Sequence, residues 1–208
     1  MSTKVKLKNV RIAFIDSLIG AAKDYQDNGR FRHSATFLVA PGSENDKAIE
    51  AAFKTEAAAM WPKKAQAMID EFKPQGNKCC YQKGDTKEYD GFEGMMVLAG
   101  HRQVKDGRPM LFDNVGYVDP EDGKTKPKKL MGSDGKFYPG KEGRIYAGSY
   151  VNATVEIYAQ GAPNPGLRCG LIAVQYHGEG DSFGGASKPK DEDFEVIDAP
   201  EMAEDDIS

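Results

Sequence analysis

Between Tyr150 and Tyr158 the chain alternates without a break: Val151, Ala153, Val155 and Ile157 are apolar, while Tyr150, Asn152, Thr154, Glu156 and Tyr158 are polar or aromatic. Successive side chains of a β-strand point to opposite faces, so this stretch buries one face and presents the other. The opening of the chain carries the same period. Val5, Leu7, Val10, Ile12 and Phe14 alternate with Lys4, Lys6, Lys8 and Arg11. The skipped beat at Asn9–Val10 predicts a bulge, and the outward face becomes a row of cations. Phe31, His33, Ala35, Phe37 and Val39 predict another strand, with Arg30 and Arg32 at its start and Pro41-Gly42 at its end.

A helical excursion follows. Ser43 to Asp46 fits a capping box, and Ile49, Phe53, Ala57 and Met60 recur at helical spacing. Pro62 suits a first helical turn, Ala65, Met68, Ile69 and Phe72 form a second stripe, and Pro74 and Gly76 close it. Trp61 at the junction is assigned to core packing. Beyond residue 76 the pattern returns to strands. Lys105-Asp-Gly-Arg108 predicts a hairpin joining Met95–Val104 to Met110–Val118. Residues 119–144, rich in Gly, Pro and Lys, read as a long functional loop. Leu167–Tyr176 is nearly continuous in apolar character and reads as a strand buried on both faces. With 23 Gly and 11 Pro among 208 residues, short elements and many turns are expected. The fold class is therefore mainly β or α+β; a small Greek-key barrel with a helical insertion at about 43–73 satisfies the pattern.

Charge is segregated along the chain. Residues 191–208 hold nine acids and no base, which leaves 28 Lys and Arg against 23 Asp and Glu in residues 1–190. A mildly basic body joined to an acidic tail is the distribution of a nucleic-acid binder with an interaction tail. Gly178, Gly180, Gly184 and Gly185 mark a flexible linker between the two. The organisation expected is a binding domain at 1–177, a linker at 178–190 and the tail at 191–208.

Catalytic constellations are not found. The chain has no phosphate-binding GxxxxGK[ST] loop and no HExxH. Asp113, Asp119 and Glu121 are acids of the kind a metal-dependent nuclease uses, but the sequence places them in turns, where Asp serves turn formation. Cys79, Cys80 and Cys169 form no CxxC pair, and the three histidines have no ligand spacing, so neither a metal nor a cofactor is expected. Reduced thiols and the lack of any long apolar run or signal-like start imply a soluble, unexported, cytoplasmic protein.

What remains is cations interleaved with rings, the combination that tracks the phosphates and stacks the bases of an unpaired strand. The candidate rings are Tyr81, Tyr89, Phe92, Phe112, Tyr117, Phe137, Tyr138, Tyr146 and Tyr150, each with core packing as its competing assignment. Tyr150 is the foremost, because its strand puts the apolar residues on the opposite face. Candidate cations are Lys4, Lys6, Lys8, Arg11, Arg30, Arg32, Arg144 and the cluster Lys124, Lys126, Lys128 and Lys129.

Two stretches, Gly143-Arg-Ile-Tyr-Ala-Gly-Ser-Tyr-Val-Asn-Ala-Thr-Val-Glu-Ile-Tyr-Ala159 and Gly170-Leu-Ile-Ala-Val-Gln-Tyr-His-Gly-Glu-Gly-Asp-Ser-Phe-Gly-Gly185, resemble a family of phage-encoded single-stranded DNA-binding proteins. Val5–Phe14 and Arg30–Pro41 are similar to it as well. The resemblance implies an oligonucleotide-binding barrel, sequence-independent binding of single strands in phage replication, recombination and repair, and an acidic tail for partner proteins in the infected bacterial cytoplasm. The end of the chain also resembles the tails of bacterial single-stranded DNA-binding proteins, with Asp205, Asp206 and Ile207 as the partner-binding tip. It departs from that pattern in ending on Ser208 without a terminal aromatic. Single-stranded DNA and replication or recombination proteins are thus the expected partners, with homo-oligomerisation admitted. The rival readings are a virion structural or assembly protein and a metal-dependent nuclease or strand-annealing recombinase.

Overall fold

The bulge after Lys8 sets the architecture. In a computed structural model, which describes residues 2–183 except 26, 28, 87, 88 and 90, β1 (Thr3–Ala13) pairs antiparallel with β7 (Tyr150–Gln160). The pairing runs from Thr3↔Ile157 to Leu7↔Ala153 and then slips to Val10↔Val151. Asn9 takes a φ of 50°, a left-handed conformation that asparagine tolerates better than most residues. The slip keeps Val5, Leu7, Val10 and Ile12 all inside and Lys4, Lys6 and Lys8 outside. Two asparagines satisfy the backbone it frees. Asn45 accepts from the Lys8 N–H at 2.9 Å and donates to the Lys8 carbonyl at 2.8 Å, and Asn152 accepts from the Asn9 N–H at 3.0 Å.

The helices are α1 (Asp16–Ile19), α2 (Glu44–Met60) and α3 (Ala65–Phe72). The remaining strands are β2 (Arg32–Val39), β3 (Tyr81–Lys83), β4 (Met96–Gln103), β5 (Met110–Val118), β6 (Thr125–Lys129) and β8 (Gly166–Gly178). Their order in one sheet is β3-β4-β2-β1-β7-β8-β5-β6. A parallel bridge, His101↔Gly170, also joins β4 to β8, so the pairings β4–β2–β1–β7–β8–β4 run in a closed ring. Inward side chains of all five strands share one core, to which α2 adds Ile49, Ala52, Phe53 and Ala57, and α3 adds Ile69 and Phe72. Each large apolar side chain buried this way contributes about 1.5–3 kcal/mol. Ser43 caps α2 by accepting from the Asp46 N–H at 3.2 Å, and Trp61 packs edge-on to Phe72 at 5.6 Å. The mainly β class with a helical insertion holds.

Four expectations are corrected. The hairpin between β4 and β5 does not form, because β2 occupies one edge of β4 along its length and β3 and β8 share the other. After Gln103 the chain makes a 3-10 turn at Val104–Asp106, which Arg102 ties down by donating to the Asp106 and Gly107 carbonyls. β5 then pairs parallel with β8 at Ala173–Gln175. The stretch 119–144, expected to be a loop, contains β6, an edge strand whose lysines and Pro127 carry no apolar period but discourage further pairing. β8 is not buried on both faces: fully buried and half-buried residues alternate along it. Asp113 is no turn residue but lies in β5, wholly buried.

Cys79 and Cys169 are buried and all three thiols are free, their pKa values raised chiefly by burial. Among the described residues no helix is long and apolar enough to cross a membrane, and no cluster of His, Cys, Asp or Glu is placed to hold a metal.

Candidate nucleic-acid interface

Residues paired directly across a sheet point to the same face. On the outer face, Lys6 of β1 therefore stands beside Thr154 of β7 and Ala173 of β8. The next row runs from Asn152 of β7 through Gln175 of β8 and Phe112 of β5 to Lys129 of β6. Between β1 and the β5–β6 ribbon this surface sinks into a trough of about 320 Å³. Lys6 and Lys8 form one wall, Phe112 and Pro127 the other, and small or amide side chains the floor. None of the lining residues is acidic. The floor is fixed by hydrogen bonds: Asn152 donates to Gln175 at 3.3 Å, and Gln175 donates to the Asp113 carbonyl at 3.1 Å.

Asp113 anchors the far wall. Its buried carboxylate accepts from Lys141 at 2.7 Å and lies 3.9 Å from the Arg144 guanidinium. Burial acts to raise its pKa, but the hydrogen bonds from Lys141 and the Asn114 N–H, together with the two cations, outweigh it and hold the carboxyl below the usual range. The turn of the β5–β6 ribbon has its own clamp. Lys126 donates to Asp119 and pairs with Asp122 at 3.2 Å, which lowers the Asp119 pKa and raises that of Lys126.

Above the trough, Arg11 and Tyr150 face each other across β1 and β7 on the same outer face. The Arg11 guanidinium lies 6.0 Å from the Tyr150 ring centroid and 4.0 Å from that of Phe183. It also donates to the Gly148 carbonyl at 3.1 Å and to the Asp181 carbonyl. The strap after β8 is thereby laid against this end of the face, with Tyr146 both donating to and accepting from Gly180. Gly148 permits the approach: its φ is 107°, and a Cβ there would sit 2.0 Å from the Asp181 oxygen.

The structure divides the candidate residues of the sequence. Lys6, Lys8 and Phe112 line the trough, Lys129 stands beside Phe112 and Lys4 lies a row away opposite Glu156, while Arg11, Tyr146 and Tyr150 gather at the upper end. Tyr117, Lys124 and Lys128 are exposed on the ribbon, whereas Lys126 is committed to its turn. Tyr138 is exposed, but Phe137 packs on the core and Arg144 is drawn to Asp113 and the Tyr176 ring. Tyr81 is a correction. It is 2% exposed and donates to Asp46 at 2.9 Å, so it belongs to the core. Phe92 is buried too, and Arg30 and Arg32 lie at another end, where Arg32 rests 5.1 Å from the Tyr25 ring. Asp205, Asp206 and Ile207 lie outside the described residues, as do the tail and the linker from 184. Sequence reasoning missed Asn152, Thr154 and Gln175 as floor residues; the polar beat of β7 was the signal for the first two.

A model of the family described as Enterobacter phage Enc34, ssDNA-binding protein, matches residues 3–207. Protein p50 of Acyrthosiphon pisum secondary endosymbiont phage 1 is 30% identical over 204 residues, covering 97% of each chain. Among solved structures, the single-stranded DNA-binding protein of bacteriophage Enc34 in complex with ssDNA superposes with a TM-score of 0.61 at 17% identity, over 87% of this chain and 89% of that one. A second structure of the same phage protein gives 0.58 at 16% identity, over 91% and 88%. At such identities the likeness establishes a shared fold.

Proposed function

The chain belongs to the family of the Enterobacter phage Enc34 ssDNA-binding protein, and from that premise we propose that it binds single-stranded DNA without sequence preference along the outer-face trough. The observation that supports this reading is the trough itself. It has lysines on one wall, a ring on the other, and no carboxylate in its lining. Lysines follow the phosphates and the ring offers a stacking face common to all bases. The protein acts as a binder rather than an enzyme in phage DNA replication, recombination and repair, in the cytoplasm of the infected host. Its acidic segment 191–208 recruits replication or recombination proteins through charge.

The test is an isotherm for an unstructured oligonucleotide and its duplex at two salt concentrations. Single strands are expected to bind more tightly, with log affinity falling by about 0.7 per decade of salt for each phosphate neutralised. Equal affinity for duplex, or a flat salt dependence, defeats the proposal.

A further inference from the structure

Arg11 does not end the outer face. Ala13 lies two residues on, pointing the same way, and packs with Leu38, Val97 and the buried ring of Phe92 in a small second core. Phe14 and Tyr89 flank Phe92, with ring centroids 5.8 and 5.6 Å from it and 5.0 Å from each other in an edge-to-face pair. Both are exposed, Phe14 at 44% and Tyr89 at 55%. Phe14 is moreover held at φ 51°. A bulky side chain rarely adopts that left-handed conformation, which is disfavoured by about 1–3 kcal/mol and persists only where the surroundings enforce it. Burial is not what Phe14 gains by it, since its ring stays open to solvent.

From this we infer that Phe14 and Tyr89 form a second base-stacking station, taking a nucleobase of the strand as it leaves the trough past Arg11. The inference rests on the reading of the trough as the single-strand track. Lys8, Arg11 and Ala13 lie on one face of one strand, and at about 3.3 Å per residue Phe14 stands roughly 20 Å along from Lys8. That distance is within the reach of a site of about 4–16 nucleotides. Arg11 stands between the two stations and lends the path its positive charge, while its guanidinium holds the strap through the Gly148 and Asp181 carbonyls and the Phe183 ring. Two exposed rings in contact, one held out by a disfavoured backbone, offer the flat surface that an unpaired base needs and that the trough supplies only at Phe112.

The experiment uses the full chain with an oligothymidylate of about 16 nucleotides. In the Phe14→Trp variant, with the wild-type emission of Trp61 as blank, saturating oligonucleotide is expected to quench the new emission. Phe14→Leu and Tyr89→Leu keep an apolar side chain against Phe92 but remove the π-face, and each is expected to bind the oligonucleotide about 5- to 150-fold more weakly with an unchanged melting temperature. Unaltered emission at saturation, or wild-type affinity in both leucine variants, overturns the station while leaving the trough standing. A wild-type chain that binds no oligonucleotide at all defeats the trough reading instead. Emission that responds to a peptide of residues 191–208 and not to DNA would make the rings a dock for the chain's own acidic segment, and the inference fails.

Discussion

Tyr150 and Val155 lie on one strand and face opposite ways, which makes them a matched pair of probes. Tyr150 is half-buried on the outer face beside Arg11, and Val155 is wholly buried. Tyr150→Ala is expected to weaken single-strand binding by about 1–3 kcal/mol with the fold retained. Val155→Asp is expected to unfold the chain by burying an unpaired carboxylate. Circular dichroism with an oligonucleotide titration separates the two outcomes; a melted Tyr150→Ala would contradict the face assignment. Asp113 gives the pH dependence. Its folded pKa lies below the ordinary value of about 3.9, so its contribution is complete above that pH and disappears as pH falls through the lower folded value. Asp113→Asn is expected to cost about 1.5–3 kcal/mol of stability near neutrality. Melting followed from about pH 6 to pH 2 is expected to show a shallower acid decline in that variant, and a parallel decline would remove Asp113 from the account.

At the scale of elements, the β5–β6 ribbon is the part least supported by the core. β5 pairs with β8 only from Met110 to Phe112, and beyond the irregularity at Phe112–Gly116 it pairs with β6 alone. A two-stranded ribbon is marginal in water by itself, so the Lys126 clamp on Asp119 and Asp122 matters to it more than an ordinary surface pair would. Lys126→Gln is expected to speed amide exchange at Val118 and Asp119. Replacing Lys128 and Lys129 by Gln is expected instead to flatten the salt slope by about 0.7 for each phosphate that is no longer neutralised, with the ribbon intact. Exchange rates and salt-dependent affinities measured on the same variants distinguish holding the ribbon from binding DNA. If all three lysines change only the slope, the clamp is not structural.

For the whole molecule, the separation of charge is the controlling feature. The nine acids of 191–208 follow a body with five more bases than acids. Deleting them is expected to tighten single-strand binding at low salt, because they repel incoming phosphates or compete for the lysines. The gain should fade as the screening length shrinks to about 8 Å at physiological ionic strength. The same truncation should abolish capture of a replication or recombination partner. Affinity of full-length and truncated protein across a salt series is the measurement, and equal values at low salt would restrict the tail to partner binding.

Local pattern was enough to reveal β1, β2, β7, the α2–α3 insertion and the bulge at Asn9, because period and capping are properties of neighbouring residues. It was also enough to place Tyr150 outside and Val155 inside. Pairing between distant strands was another matter. Lys105-Asp-Gly-Arg108 is good turn chemistry, yet β4 had no free edge to offer β5, and edge occupancy is decided by β2, β3 and β8. β6 escaped notice because an edge strand of lysines around a proline has no apolar beat. Tyr81 has the composition of a stacking residue, but only its position under α2, with Asp46 to receive its hydroxyl, sends it to the core. The trough belongs to the same class of facts: it brings Lys6, Phe112, Asn152 and Gln175 together from four strands. Residue types determine which groups are able to bind a strand of DNA, and long-range strand pairing determines which of them share a surface, because the register energies that settle it are summed over residues far apart in the chain.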